Sequence, residues 1–172
     1  AVATGQISQL TDAEGSDTSP RWSPDGQLIA FSSRREGGES KLFIMNADGS
    51  GLRQLSQESE SRTPDWSADG KVITYVANGD IYLIKADGSK PSINLTNSPE
   101  HDFLPKLSAD GNLIAWISGN KDSDRGNVFV MNTDGSNVSQ LTDNGQPGYV
   151  DWTIDGRLFT QSWGWKDQQE FC

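Results

Sequence analysis

Arg21-Trp22-Ser23-Pro24-Asp25-Gly26 is the stretch on which the reading of this chain turns, because relatives of it return three more times. The other copies are Pro64-Asp65-Trp66-Ser67-Ala68-Asp69-Gly70, Pro105-Lys106-Leu107-Ser108-Ala109-Asp110-Gly111 and Val150-Asp151-Trp152-Thr153-Ile154-Asp155-Gly156. Their Asp-Gly pairs begin at positions 25, 69, 110 and 155, spaced by 44, 41 and 45 residues. A period near this length belongs either to four-stranded propeller blades or to solenoids of paired helices, so local chemistry must decide.

Each Asp-Gly is followed by a short apolar run: Leu28-Ile29-Ala30-Phe31, Val72-Ile73-Thr74-Tyr75-Val76 and Leu113-Ile114-Ala115-Trp116-Ile117. These runs are too short for helices and rich in β-branched and aromatic residues, which predicts strands buried on both faces. A second run follows at Leu42 to Met45, Ile81 to Ile84 and Val128 to Met131, and it ends in another Asp-Gly, at Asp48, Asp87 and Asp134. There Asp accepts local backbone hydrogen bonds and Gly supplies positive φ, which is hairpin chemistry. A closing strand is predicted at Leu55-Ser56, Leu95-Thr96 and Leu141-Thr142, and the same ending comes early at Leu10-Thr11.

The predicted fold is therefore all-β: a β-propeller of four-stranded antiparallel blades, about four in this chain, closed by pairing of N- and C-terminal strands. The chain is read as one domain over residues 1–172. Its repeats span roughly 17–56, 61–96, 102–142, and 148–172 completed by 6–11. The fourth repeat is the weakest, since Gln161 stands where Phe31, Tyr75 and Trp116 stand in the others.

A formal net charge of -10 over 172 residues argues against nucleic acid, whose phosphates need clustered Lys and Arg, and against anionic membrane surfaces. No apolar run approaches the length of a membrane helix, so membrane insertion is not expected. Hydrophobic residues at 33% and 18 glycines suit a turn-rich fold. Cys172, the single cysteine, has no partner for an internal disulfide.

The sequence Pro-x-Trp-Ser-Pro-Asp-Gly, then Ile-Ala-Phe, Asn-x-Asp-Gly-Ser and a closing Leu-Thr or Leu-Ser, resembles the repeats of the TolB family, the WD40-like PD40 repeat. The match is best over Pro20 to Ser56 and extends over roughly Gln6 to Ser162. The resemblance implies a bacterial propeller, periplasmic or secreted with its leader absent from this chain, that acts by binding proteins. TolB-like proteins carry an additional α/β domain and usually six blades, more than this length holds. The same repeat also occurs in prolyl-oligopeptidase-like enzymes and surface proteins, so it specifies fold more firmly than activity.

Within the repeats, Trp22, Trp66 and Trp152 are expected to pack between blades. The Asp-Gly carboxylates are expected to form turns rather than ligate metal, since a calcium loop needs several converging oxygens. All Asp-Gly turns should share one face of the disc, which leaves the variable loops on the other, where a rigid scaffold usually carries binding. The candidate binding residues at this rim and channel mouth are Asp17, Ser61, Arg62, His101, Asp102 and Phe103, with Arg34 and Arg35 in a neighbouring loop. No nucleophile elbow, phosphate-cradling loop or Cys-x-x-Cys is present, so no catalytic residue, cofactor or metal is assigned. Asp122 with Asp124 is a weak calcium pattern, and Trp163 with Trp165 suit sugar stacking or burial in an irregular fourth blade.

The leading expectation is a non-enzymatic scaffold that presents its loops and channel mouth to a protein or peptide. The alternatives are a carbohydrate-active enzyme using Asp17 and Asp102 as acid and base, a sugar-binding propeller, or a subunit or fragment of a larger propeller, including a homo-oligomer.

Overall fold

The computed structural model describes residues 7–122, 125–162 and 168–171, with backbone alone at Glu36, Ser162 and 168–171. The first sheet holds β1 (Asp17–Trp22), β2 (Leu28–Ser33), β3 (Lys41–Asn46) and β4 (Arg53–Gln54). The second holds β5 (Arg62–Trp66), β6 (Val72–Ala77), β7 (Asp80–Lys85) and β8 (Ile93–Asn94). The third holds β9 (His101–Leu107), β10 (Leu113–Gly119), β11 (Gly126–Asn132) and β12 (Ser139–Gln140). Each is an antiparallel meander in sequence order, and the fourth consists of β13 (Pro147–Trp152), β14 (Leu158–Ser162) and β15 (Gln168–Phe171). The all-β, four-stranded antiparallel reading thus holds for three sheets.

The repeated turn explains why the sequence signature recurs. Ser23 Oγ donates to Asp25 Oδ1 at 2.6 Å and accepts the Leu28 amide at 2.9 Å, while Gly26 sits at φ 69°. Ser67 with Asp69, Ser108 with Asp110 and Thr153 with Asp155 repeat the arrangement. These hydrogen bonds hold the exposed carboxyls below their ordinary range, with Asp69 at about 2. The closing Leu-Ser or Leu-Thr has its own logic. Ser56, Thr96 and Thr142 hydroxyls accept the amides of Leu42, Ile81 and Val128, so a side chain finishes the ladder where the outer strand stops.

Adjacent sheets bury one face against the next. Leu42 and Ile44 of the first pack on Trp66, Ile73 and Tyr75 of the second. Val76 and Ile81 of the second pack on Ile114, Trp116 and Met131 of the third. Ala115, Ile117 and Val128 of the third pack on Val150 and Leu158 of the fourth. Each fully buried aliphatic side chain contributes roughly 1.5–3 kcal/mol, so these layers outweigh the net contribution of the turn hydrogen bonds.

Innermost strands touch in the order β1, β5, β9, β13, but β1 and β13 do not meet. The expected pairing of the terminal strands is not formed among the described residues: 7–11 are not a strand, and the fourth sheet has three strands. Trp22 also departs from expectation. It is 57% exposed whereas Trp66 is 8% exposed, because no described sheet flanks the first one on that side.

Ser67 tests the turn. Ser67→Ala leaves the Val72 amide without its acceptor and should cost about 1–2 kcal/mol. Thermal unfolding followed by circular dichroism should show Tm lower by a few degrees, and an unchanged Tm would remove the hydroxyl from the fold's supports.

Candidate functional site in the channel and its rim

The four innermost strands line a cavity of about 350 Å³ whose walls include Ser19, Pro20, Arg21, Thr63, Pro64, Leu104, Pro105, Lys106 and Tyr149. Three of these strands break register at the same place, between Thr18 and Arg21, between Arg62 and Asp65, and opposite Ala115 to Ile117. At each break a non-glycine residue precedes proline with positive φ: Ser19 at 52°, Thr63 at 49° and Leu104 at 53°. L-residues avoid this region, the β-branched Thr most of all, and the strain costs of order 1–3 kcal/mol apiece. The fourth sheet has Gly148-Tyr149 there, its register shift between Pro147 and Tyr149 carrying no positive φ.

Below the breaks lies a band of charge that alternates in sign, with Arg21, Asp65, Lys106 and Asp151 each preceding the repeat Trp or Leu. Asp65 accepts Lys106 Nζ at 3.1 Å and the Leu107 amide at 3.0 Å. Burial pushes the Asp65 carboxyl up, and Lys106 draws it only part of the way back. Asp151 accepts the Tyr149 hydroxyl at 2.8 Å, and burial with that carboxylate pushes the phenol up to about 12. Arg21 makes no ion pair among the described residues. Neighbouring strands are tied by indoles: Trp66 Nε1 donates to Arg21 O at 3.1 Å and Trp152 Nε1 to Lys106 O at 3.0 Å.

The expected rim residues divide into exposed and buried groups. Arg34 is exposed, and Arg62 is an exposed cation 3.1 Å from Glu60. Asp17 is held by Arg35 at 3.3 Å, and the Arg35 guanidinium also covers Phe31 and Phe43 at 5.8 and 5.2 Å. Ser61 is fully buried and joins Ser56 Oγ to Glu58 O. Phe103 packs between sheets, and His101 lies against Gly79, where a Cβ would stand 3.0 Å from its ring. Asp102 is 1% exposed; Trp116 Nε1 donates to its Oδ1 at 3.2 Å, and its Oδ2 has no hydrogen-bond partner among the described residues. Burial pushes the Asp102 carboxyl up, opposed by Ser118, Thr96 and Trp116 and reinforced by Asp80.

Asp17 is engaged by Arg35 and Asp102 is buried against Trp116, and neither is among the residues that line the cavity. The rim loop before β5 is pinned: Glu58 takes the Tyr75 hydroxyl at 2.7 Å and the Ser92 hydroxyl, and Lys41 Nζ donates to Gln57 O at 2.7 Å. Asp122 lies in a turn, its amide on Asn120 Oδ1, while Asp124, Trp163, Trp165 and Cys172 lie outside the described residues. Among the described residues no His, Cys, Asp and Glu side chains gather into a group able to hold a metal. The strained breaks, the alternating band and the indole ties were not anticipated, although aligning the residue before each repeat Trp displays the alternation.

Residues 1–80 match the family model described as the TolB beta propeller domain, PD40. The repeats are those of the TolB β-propeller family. A TolB homolog from Chlorobium luteolum is 34% identical over 117 residues, which is 66% of this chain and 26% of that protein. A structure from Agrobacterium tumefaciens, solved as a TolB candidate, superposes at TM-score 0.73 and 26% identity over 88% of this chain and 59% of that one. An oligogalacturonate lyase from Vibrio parahaemolyticus shares the fold at TM-score 0.72 and 12% identity, over 90% of this chain and 49% of that one. The chain thus spans about a quarter of the curated TolB relative.

Two substitutions probe the site. Thr63→Gly relieves the strain and removes a buried hydroxyl that has no hydrogen-bond partner among the described residues, so Tm should rise; a fall would show that the threonine is needed to hold the break. Asp102 binds its proton more tightly folded than unfolded, so its contribution is full below the ordinary Asp value of 3.8 and is lost as pH rises through the elevated folded value. Asp102→Asn should therefore raise Tm at neutral pH and change it little at pH 3. Equal shifts at both pH values would assign the effect to packing.

Proposed function

We propose that this chain is a non-enzymatic binding scaffold, one TolB-like propeller unit over residues 1–172, which offers the channel mouth and loop-rich rim to a protein or peptide. The observation that carries the reading is the strained, charge-banded channel wall. Ser19, Thr63 and Leu104 hold positive φ side by side on the cavity wall, and backbone strain of this kind clusters at ligand clamps. Alternating Arg21, Asp65, Lys106 and Asp151 with the Tyr149 hydroxyl suit a polypeptide, whose amides and side chains present donors and acceptors in turn. Exposed Arg34 and Arg62 extend that surface at the rim.

The likeness to TolB proteins supports a bacterial periplasmic or secreted setting as part of this reading. No helix among the described residues is long and apolar enough to cross a membrane. Completion of the last sheet by the Gln6 to Leu10 stretch belongs to the same reading, which requires a ring around the channel. Carbohydrate lysis is the weaker reading, because Asp17 is paired with Arg35 and Asp102 is buried, so neither carboxylate is offered to a substrate.

Selection from a random peptide-display library against the folded chain, followed by calorimetric titration of a recovered peptide, tests the site. Tyr149→Ala and Arg62→Glu should each weaken binding at least ~10-fold, a loss of about 1.4 kcal/mol, with the unfolding transition intact. Unchanged affinity in both variants would move the site off this face.

A further inference from the structure

The Asp-Gly turns, at the end of the sheets opposite the rim, surround a second cavity of about 900 Å³, against about 350 Å³ in the channel. It crosses three sheets. Leu28 and Arg53 come from the first, the Ser67 to Val72 turn and the Lys85 to Asp87 corner from the second, and the Ala109 to Gly111 turn from the third. The sequence shows what opens it. The residue before the turn Asp is Pro24, Ala68, Ala109 and Ile154 in the four repeats, so the two turns that border the cavity carry the two smallest side chains. Leu28 and Val72 rest on the apolar layers between sheets and, with Ala86, give the cavity an apolar lining.

Two of its carboxylates are spent within the turns. Asp69 Oδ1 accepts Ser67 Oγ at 2.7 Å and the Lys71 amide at 3.0 Å, and its Oδ2 takes Lys71 Nζ at 3.0 Å. Asp110 Oδ1 accepts Ser108 Oγ at 2.6 Å and the Asn112 amide at 3.1 Å, and its Oδ2 takes Asn112 Nδ2 at 2.9 Å. The cations keep donors to spare. Arg53 Nη2 donates to Ala86 O at 2.6 Å, which fixes the guanidinium at the cavity wall. Lys85 forms no ion pair among the described residues. Both stand near one carboxylate, Asp87, which the Ser89 amide and hydroxyl, then Lys85 and Arg53, hold below its ordinary value. That corner has two cations for one anion in a chain of net charge -10. Exposed charges more than ~8 Å away are largely screened at physiological salt, so these nearby donors decide what the cavity takes.

We propose that this cavity is a docking groove for a segment of a partner protein that carries apolar side chains next to carboxylates. The apolar side chains settle against Leu28, Val72 and Ala109, and a carboxylate meets the Arg53 guanidinium and Lys85, a pairing that the planar fork of arginine favours. The extent of the groove argues for a segment. Stacked sheets lie ~10 Å apart, so three of them span roughly 20 Å, the reach of about six extended residues. The site lies at the other end of the sheets from the channel mouth and does not rest on the function proposed for that mouth.

Two labelled six-residue peptides, acetylated and amidated, test it: one alternates Leu and Glu, the other Leu and Lys. Anisotropy titration should show the Leu/Glu peptide binding at least ~10-fold more tightly, and methyl NMR should show it shifting the Ala68, Ala86 and Ala109 resonances. Lys85→Glu, and Ala109→Trp, which fills the cavity from an exposed turn, should each weaken binding at least ~10-fold with the unfolding transition intact. Tyr149→Ala should leave it unchanged. Binding of neither peptide, or binding of the Leu/Lys peptide as tight or tighter, would overturn the proposal. Affinity unchanged in both cavity variants would overturn it as well, and affinity lost in Tyr149→Ala would do so by placing the peptide in the channel.

Discussion

An innermost strand of this protein is fastened to the next through its neighbour's backbone, and the row of sheets depends on that joint. Two chemistries make it. In the second and fourth sheets an indole N–H reaches the carbonyl of the residue before the previous repeat Trp or Leu. In the third sheet Leu107 has no such donor, and Asp65 substitutes by accepting both the Leu107 amide and Lys106 Nζ. The large apolar layers between sheets supply most of the stabilisation. They are non-directional, however, and the polar joint is what sets the height of one strand against the next.

The joint also explains how charge comes to line a channel in a chain of strongly negative net charge. Position 65 must accept from its neighbour, position 106 must donate, and Arg21 on the other side draws Asp65 further toward its ionised form. A band of alternating sign costs less to bury than a band of one sign. The same band is then available to a ligand with mixed donors and acceptors, so the feature that aligns the sheets also shapes what the channel can receive.

Strand positions, both classes of Asp-Gly turn and the outer-strand endings were legible in the sequence because each depends on neighbours within a few residues. Ser23, Asp25 and Gly26 interact with Gln27 and Leu28, and the Leu28 to Phe31 run enters a layer whose other members have the same pattern. The rim was less legible. Asp17, Ser61 and Asp102 hold one repeat position, yet Arg35 takes the first, the Ser56 hydroxyl takes the second, and the third lies under Trp116. What decides their exposure is the neighbouring sheet, and a repeat alignment carries no record of it. The exposure of Trp22 is the same lesson at larger scale, since an identical residue in register is core or surface according to whether another sheet stands beside it.

The loops between second and third strands set the contour of the rim. Asn78 and Gly79, at φ 51° and 88°, turn the chain between β6 and β7 in two residues. The corresponding loop of the first sheet is longer and runs over residues 34–40. The rim therefore steps down from the first sheet to the second, with His101 beside Gly79 at the lower level. A flat partner would rest on the longer loop and leave that step filled with water, whereas a protruding turn or a single extended segment could lie in it and pass inward toward Thr63.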